Sequence, residues 1–272
     1  MAGISKRIDQ ARKAFTTRDI SAAAKLHDPQ HLADAVQGDK LAGGSWAGTY
    51  LKSIVYGGLD GIITTFAVVS GVAGAELGAQ VIVILGVGNL LADGFSMGIG
   101  DYLSTKSERE YYDREAQRQA WEIEHVPEGQ RAELRALYLE HGYSAHEAEQ
   151  LVEVQTHTQA RWVNAMMREE LGMSRDATNP MAHAVATFTA FVIAGSLPLL
   201  VYLVGLVFPV ATTTAFITSM VLSALALFGL GAAKVFVTQR NPFRSGFEMF
   251  VVGGLAAVVA YVVGAGLKHI GG

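Results

Sequence analysis

Asp60 stands inside an apolar run from Leu51 to Gly74, and a second apolar run carries Asn89, Asp93, Met97 and Asp101 at steps of four residues. An ionised carboxylate at mid-bilayer costs about 2.5 to 3.5 kcal/mol on the most lenient insertion scale. Acids in such runs therefore normally face a protein interior or a wet path. Met97 indicates which chemistry the path would serve. A thioether beside carboxylates suits a borderline transition metal, whereas Mg2+ and Ca2+ take oxygen ligands. Four residues on a helix advance by about 400°, so the four side chains form a stripe that drifts slowly round one face. Thr64 and Thr65, about one turn beyond Asp60, offer further oxygens. Three plainer readings stand beside this one. The acids are protonated and tie helices together, Met97 is packing material, and Asp101, close to the end of its run, is a solvated carboxylate.

Helices that cross a membrane are the elements that must position these residues. The chain has 272 residues, is 50% hydrophobic and only 17% charged, and contains 30 glycines, a balance that belongs to membrane proteins. It has no cysteine, which excludes disulfides, thiolate metal sites, iron-sulfur clusters and thiol nucleophiles. Five stretches are long and apolar enough to span, at about 51–74, 79–103, 183–208, 210–237 and 246–267. Small residues let helix backbones approach. Gly57, Gly58 and Gly61 around Asp60 predict such an approach, as do Gly94, Gly98 and Gly100 in the second run. The pairs Gly253-Gly254 and Gly264-Gly266 predict close packing, and Pro198 predicts a kink in the third span.

The residues before Leu51 lack the apolar core of a signal peptide and are expected to form a basic cytoplasmic arm, amphipathic over Ile4 to Phe15. Every Lys and Arg except Lys268 falls in that arm or just after it at Lys52, in the middle segment, or near the short loop of Lys234, Arg240 and Arg244. Positive residues favour the inside, so the N-terminus is expected in the cytoplasm and the C-terminus outside. The organisation expected is an arm over 1–50, two spans over 51–103, an acidic helical domain over 104–178, and three spans over 179–272.

The middle segment concentrates acid: fifteen of the twenty-five Asp and Glu lie between Glu108 and Asp176. The second span is expected to continue as a charged helix to about Ala120. Pro127 and Gly129 mark a turn, a helix follows over Gln130–His141, and Ser144 caps a third helix running to about Leu171. Glu122, Glu124, His125, Glu128 and Glu133 surround the turn, and Met166, Met167, Glu169 and Glu170 lie near the far end of the third helix. Carboxylates with methionines again suit Fe2+, Mn2+, Co2+ or Zn2+. The plainer reading is an acidic solvated surface with a Met-Met core. The histidines form no tight ligand motif, and His125 alone is kept as an auxiliary candidate.

Taken together, these segments resemble the vacuolar iron transporter family over about residues 50–270. The resemblance is carried by Asp60-Gly-Ile-Ile-Thr-Thr-Phe-Ala-Val-Val69, by Ala92-Asp-Gly-Phe-Ser-Met-Gly-Ile-Gly-Asp-Tyr-Leu-Ser104 with Lys106-Ser-Glu-Arg-Glu110, and by Met166-Met-Arg-Glu-Glu-Leu-Gly172. It implies an all-α, five-span homodimer that exports Fe2+ and related divalent ions from the cytosol, driven by protons, with a helical cytoplasmic metal-binding domain. Metal is then substrate, with no prosthetic group, and no nucleic-acid partner is expected. Asp60 and Met97 match the translocation path, and Met166, Met167 and Glu170 match cytoplasmic ligands. The family's Glu-x2-Glu-x7-Glu-x2-Glu frame falls here on Gln119, Glu122, Gln130 and Glu133. The two glutamines offer a carbonyl oxygen but no charge, so fewer or weaker cytoplasmic sites are expected, with Glu124 or His125 compensating. Asn89 stands where some members carry an acid, which shifts weight onto Asp60 and Asp93. A Mn2+-preferring transporter, a membrane-anchored metal sensor or buffer, and an intramembrane aspartyl protease are the competing readings. The membrane expected is the inner membrane of a bacterium or the vacuolar membrane of a eukaryote.

Overall fold

The computed structural model describes residues 4–26, 46–175, 178–233 and 241–268. The regular structure among them is helical: α1 (Ile4–Thr17), α2 (Ile20–Leu26), α3 (Trp46–Gly74), α4 (Ala79–His125), α5 (Pro127–Glu140), α6 (Ala145–Gln155), α7 (Gln159–Glu169), α8 (Pro180–Ser196), a 3-10 turn (Leu197–Leu199), α9 (Leu200–Gly205), α10 (Thr212–Ala233) and α11 (Pro242–Leu267). The chain divides into one unit of residues 1–101 with 181–272 and a second of residues 102–180.

In the first unit five helices are long and apolar enough to cross a membrane: Tyr50–Gly74, the apolar part of Ala79–His125, Pro180–Gly205, Thr212–Ala233 and Pro242–Leu267. These match the five stretches read from sequence, with ends shifted by a few residues. Lys234 and Arg240 lie outside the described residues. At 1.5 Å per residue, the 47 residues of α4 run about 70 Å. Hydrocarbon about 30 Å thick takes only about 20 of them.

Glycine decides how the spans meet. A Cβ at Gly57 would lie 2.5 Å from the backbone oxygen of Thr187, and one at Gly61 would collide with the backbone oxygen of Phe191. From the other side, a Cβ at Gly195 would stand 2.7 Å from the oxygen of Gly61. Main chain of α3 therefore lies directly on main chain of α8, an approach that only glycine permits. Gly94 and Gly98 turn their bare sides toward α8 as well, against Phe188, Phe191 and Ala184. Gly100 departs from expectation, because open space lies beside it. Further along α3, Gly71 meets Gly264 of α11. A Cβ at Gly253 would run into Leu227, whereas one at Gly254 or Gly266 would meet nothing within 4 Å. Phe66, Val69, Ile82, Leu90, Phe191 and Leu199 form the core between the spans.

At Pro198, whose ring gives no N–H to the helical ladder, the third span passes through its 3-10 turn, and the Pro198 carbonyl accepts the Ser219 hydroxyl at 2.6 Å. Beyond the last residue of α3, Glu76, with a left-handed φ of 55°, closes the turn, and Lys268 pairs with it at 2.6 Å.

The second unit has its own core of Ile123, Leu134, Tyr138, Ala148, Val152, Trp162, Ala165 and Met166. Its helices differ from the sequence reading in three respects. The charged extension of α4 reaches His125. Pro127 is the first residue of α5 and Gly129 lies within that helix; proline suits a first turn, whose N–H groups lack partners in any case. The expected third helix is two helices, α6 and α7, because the Thr158 hydroxyl caps a new start and accepts from the Arg161 N–H. Ser144 does cap α6, in a reciprocal box with Glu147.

That box makes stability pH-dependent. Hydrogen bonds from Ser144 hold the Glu147 carboxyl below its ordinary value of 4.5. A lowered folded-state value means the stabilisation is complete above the unfolded-state value and is lost as pH falls through the folded one. Amide exchange in the first turn of α6 is therefore expected to accelerate below about pH 4.5, and Glu147→Gln is expected to flatten that acid limb.

Candidate metal path and carboxylate cluster

On α4 the stripe follows a regular order. Asn89, Asp93, Met97 and Asp101 are each half-buried, the first three are each followed by a buried residue (Leu90, Gly94, Gly98), and the pairs between them face outward. The polar stripe thus runs along the edge of the seam where α4 meets α8. Asp60, also half-buried, lies on α3. Two helices joined by the Ser53–Asp101 hydrogen bond therefore each carry a half-buried carboxylate within an apolar span. Met97 packs against the bundle core.

Further polar atoms lie in the same spans. The Thr64 hydroxyl donates to the Asp60 backbone oxygen at 2.8 Å, so it is engaged with its own helix. Thr65 is fully buried and its hydroxyl has no partner, and the side-chain nitrogen of Asn89 is also buried and unpartnered. Orphaned polar atoms in an apolar bundle are costly. They are the kind of group that water or a hydrated ion satisfies.

Asp101 is the centre of a network that the sequence did not reveal. Its Oδ2 accepts the Ser53 hydroxyl of α3 at 2.8 Å and the Thr187 hydroxyl of α8. Ser53 also meets His183 Nδ1 at 2.9 Å. A serine hydroxyl carries one hydrogen, and here Asp101 receives it, so His183 must donate to Ser53 through a protonated Nδ1. His183 in turn packs against the Tyr50 ring, 4.8 Å between centroids. Three helices are joined through one carboxylate, and the reading of Asp101 as a merely solvated acid gives way to this arrangement. The signal was available in part, since a histidine in the first turns of a span is as anomalous as an aspartate. The roles of Ser53 and Thr187 were not legible, because serine and threonine are common in spans.

In the second unit Glu122, Glu133 and Glu170 come together with Gln119 and Gln130. The Gln119 amide donates to Glu170, and the Gln130 amide donates to Glu122 at 3.1 Å and to Glu133 at 3.4 Å. Both glutamines are buried, and the side-chain carbonyl oxygen of each has no partner. Glu133 as a residue is exposed, yet partial withdrawal of its carboxyl from water, with Glu170 and Glu122 beside it, pushes it above the ordinary glutamate range; Arg118 opposes this. Arg118, absent from the sequence reading, bonds Glu115, Glu122 and Glu170.

Other predicted residues lie apart. Met166 and Met167 are fully buried, Met166 within the core of the second unit. Glu124 is exposed. His125 is exposed too, stacked on Trp121, with its Nδ1 at 2.8 Å from the Trp121 carbonyl oxygen. Among the described residues no three acidic or histidine side chains stand ready as they are to hold a metal ion. In the carboxylate cluster, amide and guanidinium donors are interposed.

Comparison with known proteins agrees with this architecture. The family model described as VIT family matches residues 51–265. The chain is 35% identical to the vacuolar iron transporter of Toxoplasma gondii, over 97% of this chain and 90% of the relative. It is 32% identical to the one of Plasmodium falciparum, over 98% of each. It is 33% identical to vacuolar iron transporter 1 of Arabidopsis thaliana, over 82% of this chain and 88% of the relative. With a matched model running from the first span to the last and relatives aligned along nearly the whole length, the chain belongs to the VIT family, that of the vacuolar iron transporters.

Proposed function

We propose that this protein is a proton-coupled transporter that moves Fe2+ and related divalent transition metals out of the cytosol. The observation that carries the reading is the pair Asp60 and Asp93, half-buried carboxylates on two apolar helices long enough to cross a membrane. Its membership of a family whose relatives are named vacuolar iron transporters supports iron as the substrate.

The ion is bound by Asp60 and Met97, with Asp93 and Asn89 along the same stripe. A carboxylate must lose its proton to bind metal, so arrival of the ion releases a proton, and reprotonation from the other side releases the ion. Asp101, held by Ser53 and Thr187, lies at the cytoplasmic end of the stripe and forms its entrance. The second unit is a cytoplasmic collector in which Glu122, Glu133 and Glu170, with Met166 and Met167 behind them, gather metal. The working unit is a homodimer. Leu91, Phe95 and Ile99, exposed on the outer side of α4, suit either a second copy or lipid.

A Mn2+ preference is the second reading, favoured by the two amide oxygens that stand where the family frame has carboxylates. Sealed proteoliposomes with a pH dye inside test both readings. Addition of Fe2+ is expected to drive uptake with proton movement in the opposite direction, and competition between Fe2+ and Mn2+ ranks the two ions. Metal binding without flux or a lumenal pH change would leave a sensor or buffer in place of a transporter.

A further inference from the structure

Arg118 engages its neighbours through all three guanidinium nitrogens. Nε donates to Glu115 Oε2 at 2.8 Å, Nη1 to Glu122 Oε1 at 2.9 Å and Oε2 at 2.8 Å, and Nη2 to Glu170 Oε1 at 3.4 Å. Glu115 and Glu122 lie one turn before and after it on α4, whereas Glu170 comes from the end of α7, so the guanidinium bridges two helices. Gln119 and Gln130 direct their N–H groups at the same carboxylates, and their two carbonyl oxygens are left buried without a partner. The cluster is thus arranged round a cation it already contains. Its donors face carboxylates, and its spare acceptors wait for a positive charge that Arg118 does not bring to them.

We propose that Arg118 is a tethered cation which fills the carboxylate cluster in the resting protein and sets its affinity for divalent metal, each ion entering by displacing the guanidinium. This rests on the reading of the second unit as a metal collector. A guanidinium is a planar fork that cannot be deprotonated at physiological pH, so it does not leave by titration, only by movement. Glu115 gives it somewhere to remain: the Nε contact can persist while the Nη groups release Glu122 and Glu170. Those two carboxylates and Glu133 are then free for an ion of twice the charge. Half a turn of either glutamine amide exchanges its N–H for the carbonyl oxygen, which makes a neutral ligand of a group that was a donor. The same two glutamines therefore serve both states, and a glutamate at either position could not donate in the resting one. Arg118 imposes a threshold, in that an ion binding no more strongly than the guanidinium does not enter.

The test uses the full chain in detergent with Asp60→Asn as background, so that the bundle contributes little to binding, and titrates Mn2+ by the electron paramagnetic resonance of the free ion. Arg118→Met, which keeps the stem and removes the charge, is expected to bind Mn2+ at least about tenfold more tightly. Arg118→Lys keeps the charge without the fork and is expected to fall between that variant and the parent. Without metal, the Arg118→Met protein is expected to melt at a lower temperature, and to gain more from added Mn2+ than the parent does. Unchanged or weaker binding in both variants, with helical circular dichroism intact, overturns the tethered-cation proposal and leaves the collector standing. If the parent and both variants bind no Mn2+, and Glu122→Gln with Glu133→Gln changes nothing, the collector reading itself fails and the proposal fails with it.

Discussion

Asp60→Asn is expected to abolish metal uptake, with a loss of at least about 100-fold in the initial rate in proteoliposomes. The size follows from what an amide cannot do. It keeps the shape and one oxygen of the carboxylate but cannot neutralise a divalent cation where water is scarce. Loss of a group that merely orients a metal ligand already costs about 10- to 100-fold in affinity or activity, and removal of a charged ligand from an apolar bundle costs at least as much. The proton leg fails with the metal leg, because an amide does not exchange a proton at this pH. Metal-driven change in lumenal pH is therefore expected to vanish together with uptake, whereas a residue that only shaped the path would slow both and leave their ratio intact. Uptake at the parental rate by the Asp60→Asn protein would remove the foundation of the transport reading. Asp93→Asn is the informative companion, since it removes the acid at the middle of the α4 stripe and leaves Asp60 unaltered.

Gly57→Val is expected to lower stability by at least about 2 kcal/mol, within the range for overpacking of a filled interior. The first added carbon would already lie 2.5 Å from the Thr187 backbone oxygen and 3.2 Å from two further Thr187 backbone atoms. Backbone cannot swing aside as a side chain does, so the two helices must separate. Thr187 is also the residue that donates to Asp101, so the same displacement disturbs the network round that carboxylate. Gly100→Ala is the contrasting case. Nothing stands within 4 Å of its missing side chain, so only helix propensity acts, and that favours alanine by about 1 kcal/mol. Thermal unfolding in detergent is expected to place the first variant well below the parent and the second at or slightly above it. A Gly57→Val protein that melts with the parent would mean that the backbone seam between α3 and α8 does not hold the bundle together.

Much of this architecture could be read from the residues. The five spans follow from apolar length, because in lipid a chain has few alternatives to a helix. The stripe on α4 followed from its four-residue step, and the structure adds that the stripe borders the α8 seam. Which helix the glycines of α3 would meet was not legible, since small residues announce a close approach without naming the partner. In the second unit, the Ser144 cap was readable because its box partner Glu147 stands three residues on. The break at Thr158 was missed because a threonine within a polar helical run carries no such pairing. The frame over Gln119, Glu122, Gln130 and Glu133 was visible as spacing. Its state was not, because Arg118 lies among many charged residues on α4 and only the fold shows that Glu170 of another helix shares it.

Gly100 has a use beyond stability. It adjoins Asp101, its bare side is open, and the chain contains no cysteine anywhere. A thiol introduced there is therefore unique in the molecule without further engineering, and it sits beside the last carboxylate of the stripe. Its rate of reaction with a membrane-impermeant reagent, compared with that of a lipid-soluble one, states which medium bathes that edge of the helix in a native membrane. One small residue with open space beside it becomes a place from which the surroundings of the stripe can be reported.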